Sequence, residues 1–148
     1  MASFRFRFEQ ILHLKEQLEN QKKNEFAQLQ NQILQERGNL NRMQKQLENY
    51  WRDLAQSLSG IIRISYIQFL QNLIGEQHLE IDQQEDRLRK LHQQEHIKRW
   101  ELVEAMKQRR LYQKLRENQH EAWRHNEAKQ EQKFLDYIAL TSAQRRLV

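Results

Sequence analysis

The sequence predicts an all-α protein, a long antiparallel two-helix coiled-coil hairpin that reverses near Gly60–Ser65 and leaves a C-terminal helical overhang. Three observations carry that prediction. The chain of 148 residues has no proline and only three glycines, too little punctuation for a many-turned compact core. From Phe26 to Leu54 apolar residues recur in alternating steps of three and four, the 3.5-residue seam of a left-handed coiled coil. Stop and start signals for helices crowd together around Gly60.

Composition agrees. Apolar residues make up 38% and the mean hydropathy is −1.05, below what a globular core needs. The 23 glutamines nearly match the 25 lysines and arginines, and all of these lose little rotamer freedom in a helix. There is no cysteine, which excludes disulfides and thiolate chemistry and suits a reducing cytoplasm. No run of about 18 apolar residues exists, because Arg63, Gln68 and Gln71 break the best candidate, so no spanning helix is expected. The basic, aromatic start "MASFRFRFEQILHL" meets Glu9, Glu16 and Glu19 too early for a transit peptide and reads as mature protein.

The first helix is expected over about 4–59. Its seam runs Phe26, Leu29, Ile33, Glu36, Leu40, Met43, Leu47, Tyr50, Leu54, with Phe8, Ile11, Lys15, Leu18 and Lys22 continuing it upstream. The step from Lys22 to Phe26 adds a second four and reads as a stutter. Phe4, Phe6 and Phe8 alternate with Arg5 and Arg7 as in a strand, but three aromatics are too short a run to outweigh the helical context.

The turn is expected over 60–65. Gly60 at C′ with Ile61 at C″ permits a Schellman arrangement. Ser65 as N-cap with Gln68 at N3 forms a capping box, and Ile64 with Phe69 a hydrophobic staple. Signals this close specify antiparallel neighbours.

The second helix is expected over about 66–140, followed by a frayed tail at 141–148, the whole forming a single elongated coiled-coil domain over 1–148. Its seam is Ile67, Leu70, Ile74, Gln77, Ile81, Gln84, Leu88, Leu91, Glu95, Lys98, Leu102, Ala105. Residues 76–86 hold five acids and no Lys or Arg, and residues 87–116 hold ten bases and three acids. Folding back about residue 62 sets the acidic band against Arg37, Arg42 and Lys45, and the basic band against Glu9, Glu16, Glu19, Glu25 and Glu36. Such pairs are individually weak but help choose orientation and register. A first helix of about 50 residues spans about 75 Å at 1.5 Å per residue. The second outruns it, so Phe134, Leu135, Ile138 and Leu140 have nothing opposite.

Candidate chemistry is sparse, and no catalytic, cofactor-binding or metal residue is expected. "HQQEH" at 92–96 matches an H-x-x-E-H zinc pattern, but a slender hairpin offers neither third ligand nor water-excluding cleft. His120 and His125 are weaker. Trp51, Trp100 and Trp123 read as seam or flank packing. The net charge of +5 raises nucleic acid as a partner through Arg87–Arg116; the alternative, a face answering the acidic first helix, accounts for the same charges.

Three stretches carry a family resemblance. "FRFEQILHLKEQLENQKK", "LENYWRDLAQSLSGIIRISYIQFLQNLIGEQHLEI" with Tyr66, Phe69 and Leu73, and "EAKQEQKFLDYIAL" resemble the FliJ proteins of the flagellar type III export apparatus, and also the YscO-type stalks of injectisomes. That resemblance implies a cytoplasmic, non-enzymatic hairpin like the central stalk of rotary ATPases, without cofactor, peripheral at the inner face of the cell membrane and serving flagellum biogenesis and motility. It implies docking in a hexameric FliI-like export ATPase and links to a FliH-like regulator, the cytoplasmic domain of a FlhA-like export gate, and export chaperones. No nucleic acid is expected, and membrane contact only through partners. By position, the gate patch falls on Leu47, Tyr50, Phe69 and Leu73. Phe69 and Leu73 lie off the seam and are expected to be free for a partner. The ATPase end falls on Phe4, Phe8 and Ile11 with Phe134, Leu135 and Ile138. The runner-up readings are an injectisome stalk and a basic coiled coil that binds nucleic acid.

Overall fold

The computed structural model describes residues 2–147. It is all-helical among these, with α1 over Glu9–Ser57 and α2 over Ile64–Arg146 packed against each other as an antiparallel hairpin. The chain divides into two compact units, Gln21–Leu102 and Met1–Asn20 with Val103–Val148.

In the unit Gln21–Leu102, every expected seam position of α1 from Phe26 to Leu54 and of α2 from Ile67 to Leu102 is buried or half-buried. Leu29 and Ile33 pack with Leu88 and Leu91, flanked by Leu40. Nearer the link, Leu54 packs with Leu70 and Ile74, flanked by Leu47, Tyr50, Ile67 and Leu73. Between these clusters the seam mixes Met43 and the buried Ile81 with polar residues. Gln77 Nε2 donates to the Met43 carbonyl at 2.9 Å, and Gln84 Nε2 donates to the Glu36 carbonyl at 2.9 Å and to its carboxylate. Gln77 and Gln84 lie seven apart, as do Glu36 and Met43, so one heptad device is used twice. Glutamine can sit in the seam because its amide reaches an opposite carbonyl, and a buried polar group is tolerated when bonded.

The link spans 58–63, and Gly60 takes φ +93°, the left-handed region where a Cβ would be strained. The reversal is therefore where the sequence puts it, but the caps differ. Ser59 donates to the Gln56 carbonyl with both amide (3.2 Å) and hydroxyl (2.8 Å), in place of the Schellman bond from Ile61. α2 opens at Ile64, with the Ile67 amide on the Arg63 carbonyl. Ser65 thus lies inside the first turn and caps nothing, and Ile64 and Phe69 are both exposed rather than stapled.

In the unit formed by the termini, α1 begins at Glu9, not Phe4. An extended approach puts alternate side chains on one face, so Phe4, Phe6 and Phe8 all reach partners: Phe6 is buried, Phe4 meets His120 and Trp123, and Phe8 meets Phe6 and Tyr112. The upstream seam is Phe8, Leu12, Lys15, Glu19, Lys22 rather than the set with Ile11 and Leu18. It keeps strict heptad spacing into Phe26, and there is no stutter. Glu19, only 3% exposed, holds a seam position because Arg109 on α2 donates to its carboxylate. α2 stays helical to Arg146, past the expected fraying at 141, with Thr141 and Ser142 bonded back to the carbonyls of Ile138 and Ala139. Val148 lies outside the described residues.

Candidate functional site

Two apolar surfaces lie beyond the seam. The first surrounds the link. Leu58, Ile61, Ile62, Ile64, Tyr66, Phe69 and, on α1, Trp51 are exposed, Ile61 to 94%. Heptad spacing ends at Leu54 on one helix and starts at Ile67 on the other, so these residues face no neighbouring helix. Of the four residues expected for gate contact, Phe69 belongs to this surface. Leu47, Tyr50 and Leu73 are half-buried and pack on the Leu54–Leu70–Ile74 cluster. Leu73 is therefore not free as expected: it sits beside the heptad seam and its long side chain reaches the core edge. The sequence assigned Ile61 and Ile64 to capping contacts, and the structure leaves both, with Ile62, exposed.

The second surface lies on the C-terminal part of α2. Phe134, Leu135, Tyr137, Ile138 and Leu140 are all exposed. Phe134, Leu135 and Ile138 are spaced to share one helix face. The other half of the expected ATPase set behaves differently. Phe4, Phe8 and Ile11 are half-buried, and Phe4 lies 4.9 Å from the His120 ring and Phe8 6.3 Å from Tyr112. Those aromatics hold the two strands of this unit together.

Charge pairs run where the basic band meets α1. Glu9 pairs with Arg116 at 3.1 Å, Glu19 with Arg109, Glu25 with Lys98 at 3.1 Å and Glu36 with Arg87 at 3.8 Å. The seam lysines Lys22 and Lys98 close a four-membered ring with Glu25 and Glu101, all four contacts between 3.1 and 3.5 Å. The hydrogen bond from Lys98 holds the Glu25 carboxyl below its ordinary value of 4.5, and that from Lys22 does the same for Glu101. The Glu25 carboxylate in turn raises Lys98 above 10.5. The hydrogen bond from Gln84 lowers Glu36. The acidic band 76–86 does not meet Arg37, Arg42 and Lys45. Asp86 pairs with Arg89 on its own helix, Arg42 bonds Asn39, and Arg37 approaches His92. All five acids are exposed; Glu76, Asp82 and Asp86 occupy outward heptad positions, and Glu80 and Glu85 flank the seam.

A family profile described as Flagellar FliJ protein matches residues 4–147. The chain belongs to the FliJ family. Neither a curated protein nor a solved structure matches it. FliJ membership gives the chain a flagellar, export-related role in general terms. In this FliJ chain no helix among the described residues is long and apolar enough to cross a membrane. No cluster of three or more His, Cys, Asp or Glu side chains fit to hold a metal ion occurs among them either. His92 of the H-x-x-E-H pattern lies against Arg37 and Glu95 instead.

Proposed function

We propose that this FliJ chain is a non-catalytic stalk and escort of the flagellar export apparatus. In this reading the apolar C-terminal stretch of α2 docks in the hexameric export ATPase and promotes its assembly and turnover. The link surface engages the cytoplasmic domain of the export gate, and chaperones and the ATPase regulator associate with the same hairpin. The observation that carries this reading is the pair of exposed apolar surfaces on a family-typical hairpin, each left uncovered by its own chain. Soluble proteins rarely leave large contiguous apolar patches without a partner. In this reading the exposed residues Phe69, Ile61, Ile62 and Ile64 serve the gate, and the exposed Phe134, Leu135 and Ile138 serve the ATPase.

The test mixes the chain with the purified export ATPase and follows hydrolysis and ring formation. Both should rise, and both gains should vanish with Phe134→Asp/Ile138→Asp. Unchanged hydrolysis and unchanged ring formation with the unsubstituted chain would rule out the stalk role. Binding to the gate's cytoplasmic domain, measured alongside, should weaken with Ile61→Asp/Phe69→Ala. Of the ten bases in Arg87–Arg116, four (Arg87, Lys98, Arg109 and Arg116) pair with glutamates of α1, which favours the structural account of those four over nucleic acid.

A further inference from the structure

The apolar surface at the link caps the end of the hairpin instead of lying on one side of it. Ile61 and Ile62 are in the link itself, beyond both helix ends, and are exposed to 94% and 54%. Trp51 holds heptad position e, directly after the seam residue Tyr50, and Tyr66 holds position g, directly before the seam residue Ile67. In an antiparallel pair e positions share one edge and g positions the other, so Trp51 and Tyr66 stand on opposite edges. Leu58 is exposed on the Trp51 edge and Phe69 on the Tyr66 edge. One face of another protein covers one edge of a helix pair. Apolar side chains on both edges and over the end fit a phase that the end can enter.

Charge and depth say what that phase is. From Leu54 to Gly75, between Asp53 and Glu76, runs the longest acid-free stretch of the chain, and Arg63 is the sole charge in it. Arg52 and Arg63 are both exposed, and neither forms an ion pair or a side-chain hydrogen bond among the described residues. Trp51 stands six residues before the end of α1 and Phe69 five residues after the start of α2, each within about 10 Å of its helix end at 1.5 Å per residue. Interfacial protein elements bury their apolar side chains about 5–10 Å into a bilayer. Trp and Tyr collect at that depth, and Arg reaches from it to the headgroups.

We propose that the link end of the hairpin dips into the surface of an anionic lipid bilayer. Ile61 and Ile62 enter the acyl boundary first, Trp51, Tyr66 and Phe69 lie at headgroup depth, and Arg52 and Arg63 meet lipid phosphates. The insertion is monotopic, since no helix among the described residues can cross a membrane. A few aliphatic side chains give a weak foothold and two bases a weak attraction, so the contact is reversible and needs both. It departs from the expectation that membrane contact runs only through partners. It is additional to the gate contact proposed above and does not rest on it.

Vesicle co-sedimentation of the full chain tests it. The chain should sediment with vesicles of equimolar phosphatidylcholine and phosphatidylglycerol and stay in solution with phosphatidylcholine alone. Ile61→Asp/Ile62→Asp and Arg52→Glu/Arg63→Glu should each weaken binding by more than about tenfold, with helicity unchanged by circular dichroism. Arg110→Glu/Lys114→Glu reverses as many charges elsewhere on α2 and should stay within about threefold of wild type at physiological salt. In a Trp100→Phe/Trp123→Phe chain, brominated acyl chains should quench the emission of Trp51. A wild type that ignores the mixed vesicles would overturn the proposal, as would link variants that bind as well as wild type. Equal losses from the Arg110/Lys114 reversal would reduce the effect to general charge attraction, and unquenched Trp51 would exclude insertion; either result overturns it too. The vesicles hold no gate protein, so this assay and the gate assay fail independently.

Discussion

At the scale of single residues, exposure separates packing from docking where the letters alone do not. Phe69 and Leu70 are adjacent, large and apolar. Leu70 is 2% exposed against Leu54 and Ile74, and Leu70→Ala should cost about 2–5 kcal/mol in urea unfolding. Phe69→Ala removes an exposed ring and should change stability by no more than about 0.5 kcal/mol, while weakening gate binding; a core-sized loss would move Phe69 into the packing. Among the described residues, Gly60 is the one position whose backbone demands glycine. Gly60→Ala forces an L-residue to φ +93° and should destabilise the hairpin by about 1–2 kcal/mol, read from the same unfolding curve.

At the scale of the elements, the seam of the unit Gln21–Leu102 trades stability for register. Polar residues in coiled-coil seams specify alignment at a cost in stability. Gln77→Leu/Gln84→Leu should raise the thermal midpoint and broaden the population into mixed registers or oligomers, seen by circular dichroism melts with light scattering. The Lys22–Glu25–Lys98–Glu101 ring sets a pH window. Glu25 and Glu101 titrate below 4.5 in the folded state, so their stabilisation is complete above 4.5 and is lost as pH falls through the folded values. Lys98 titrates above 10.5, so its stabilisation is complete below 10.5 and is lost as pH rises beyond it. Melting temperature should therefore be level between these limits with respect to the ring. Glu25→Gln/Glu101→Gln should flatten the acid limb and lower the plateau.

At the scale of the molecule, uncovered apolar surface and folded stability are separable. Phe134→Asp/Ile138→Asp alters residues that touch no other part of the fold's core. The thermal midpoint should stay within the range of surface substitutions, while stimulation of the export ATPase disappears. Spin labels at Phe26 and Lys98 test the hairpin itself. Phe26 already lies 5.7 Å from the Arg99 guanidinium, so the labels should report a short distance within one molecule, and a long one would mean that α1 and α2 pair between molecules.

The hairpin, its reversal at Gly60, the seam from Phe26 to Leu54 and the seam from Ile67 to Ala105 are all written in the order of residues. Heptad spacing needs only periodic apolar side chains, and glycine marks the one φ that others avoid. What required the folded structure is each place where a polar side chain does apolar duty or an apolar one does none. Glu19 counts as seam only once Arg109 is opposite it, and Gln84 only once the Glu36 carbonyl is within reach. Leu18 and Leu73 change roles with a displacement of one heptad position, which spacing alone does not resolve. Phe4, Phe6 and Phe8 leave the helix because the Phe4 and Phe8 rings find partners on α2 and Phe6 is buried beside Phe8, a gain that local propensity does not contain. Periodicity is a property of one strand, whereas partnership is a property of two, and only the tertiary structure supplies the second.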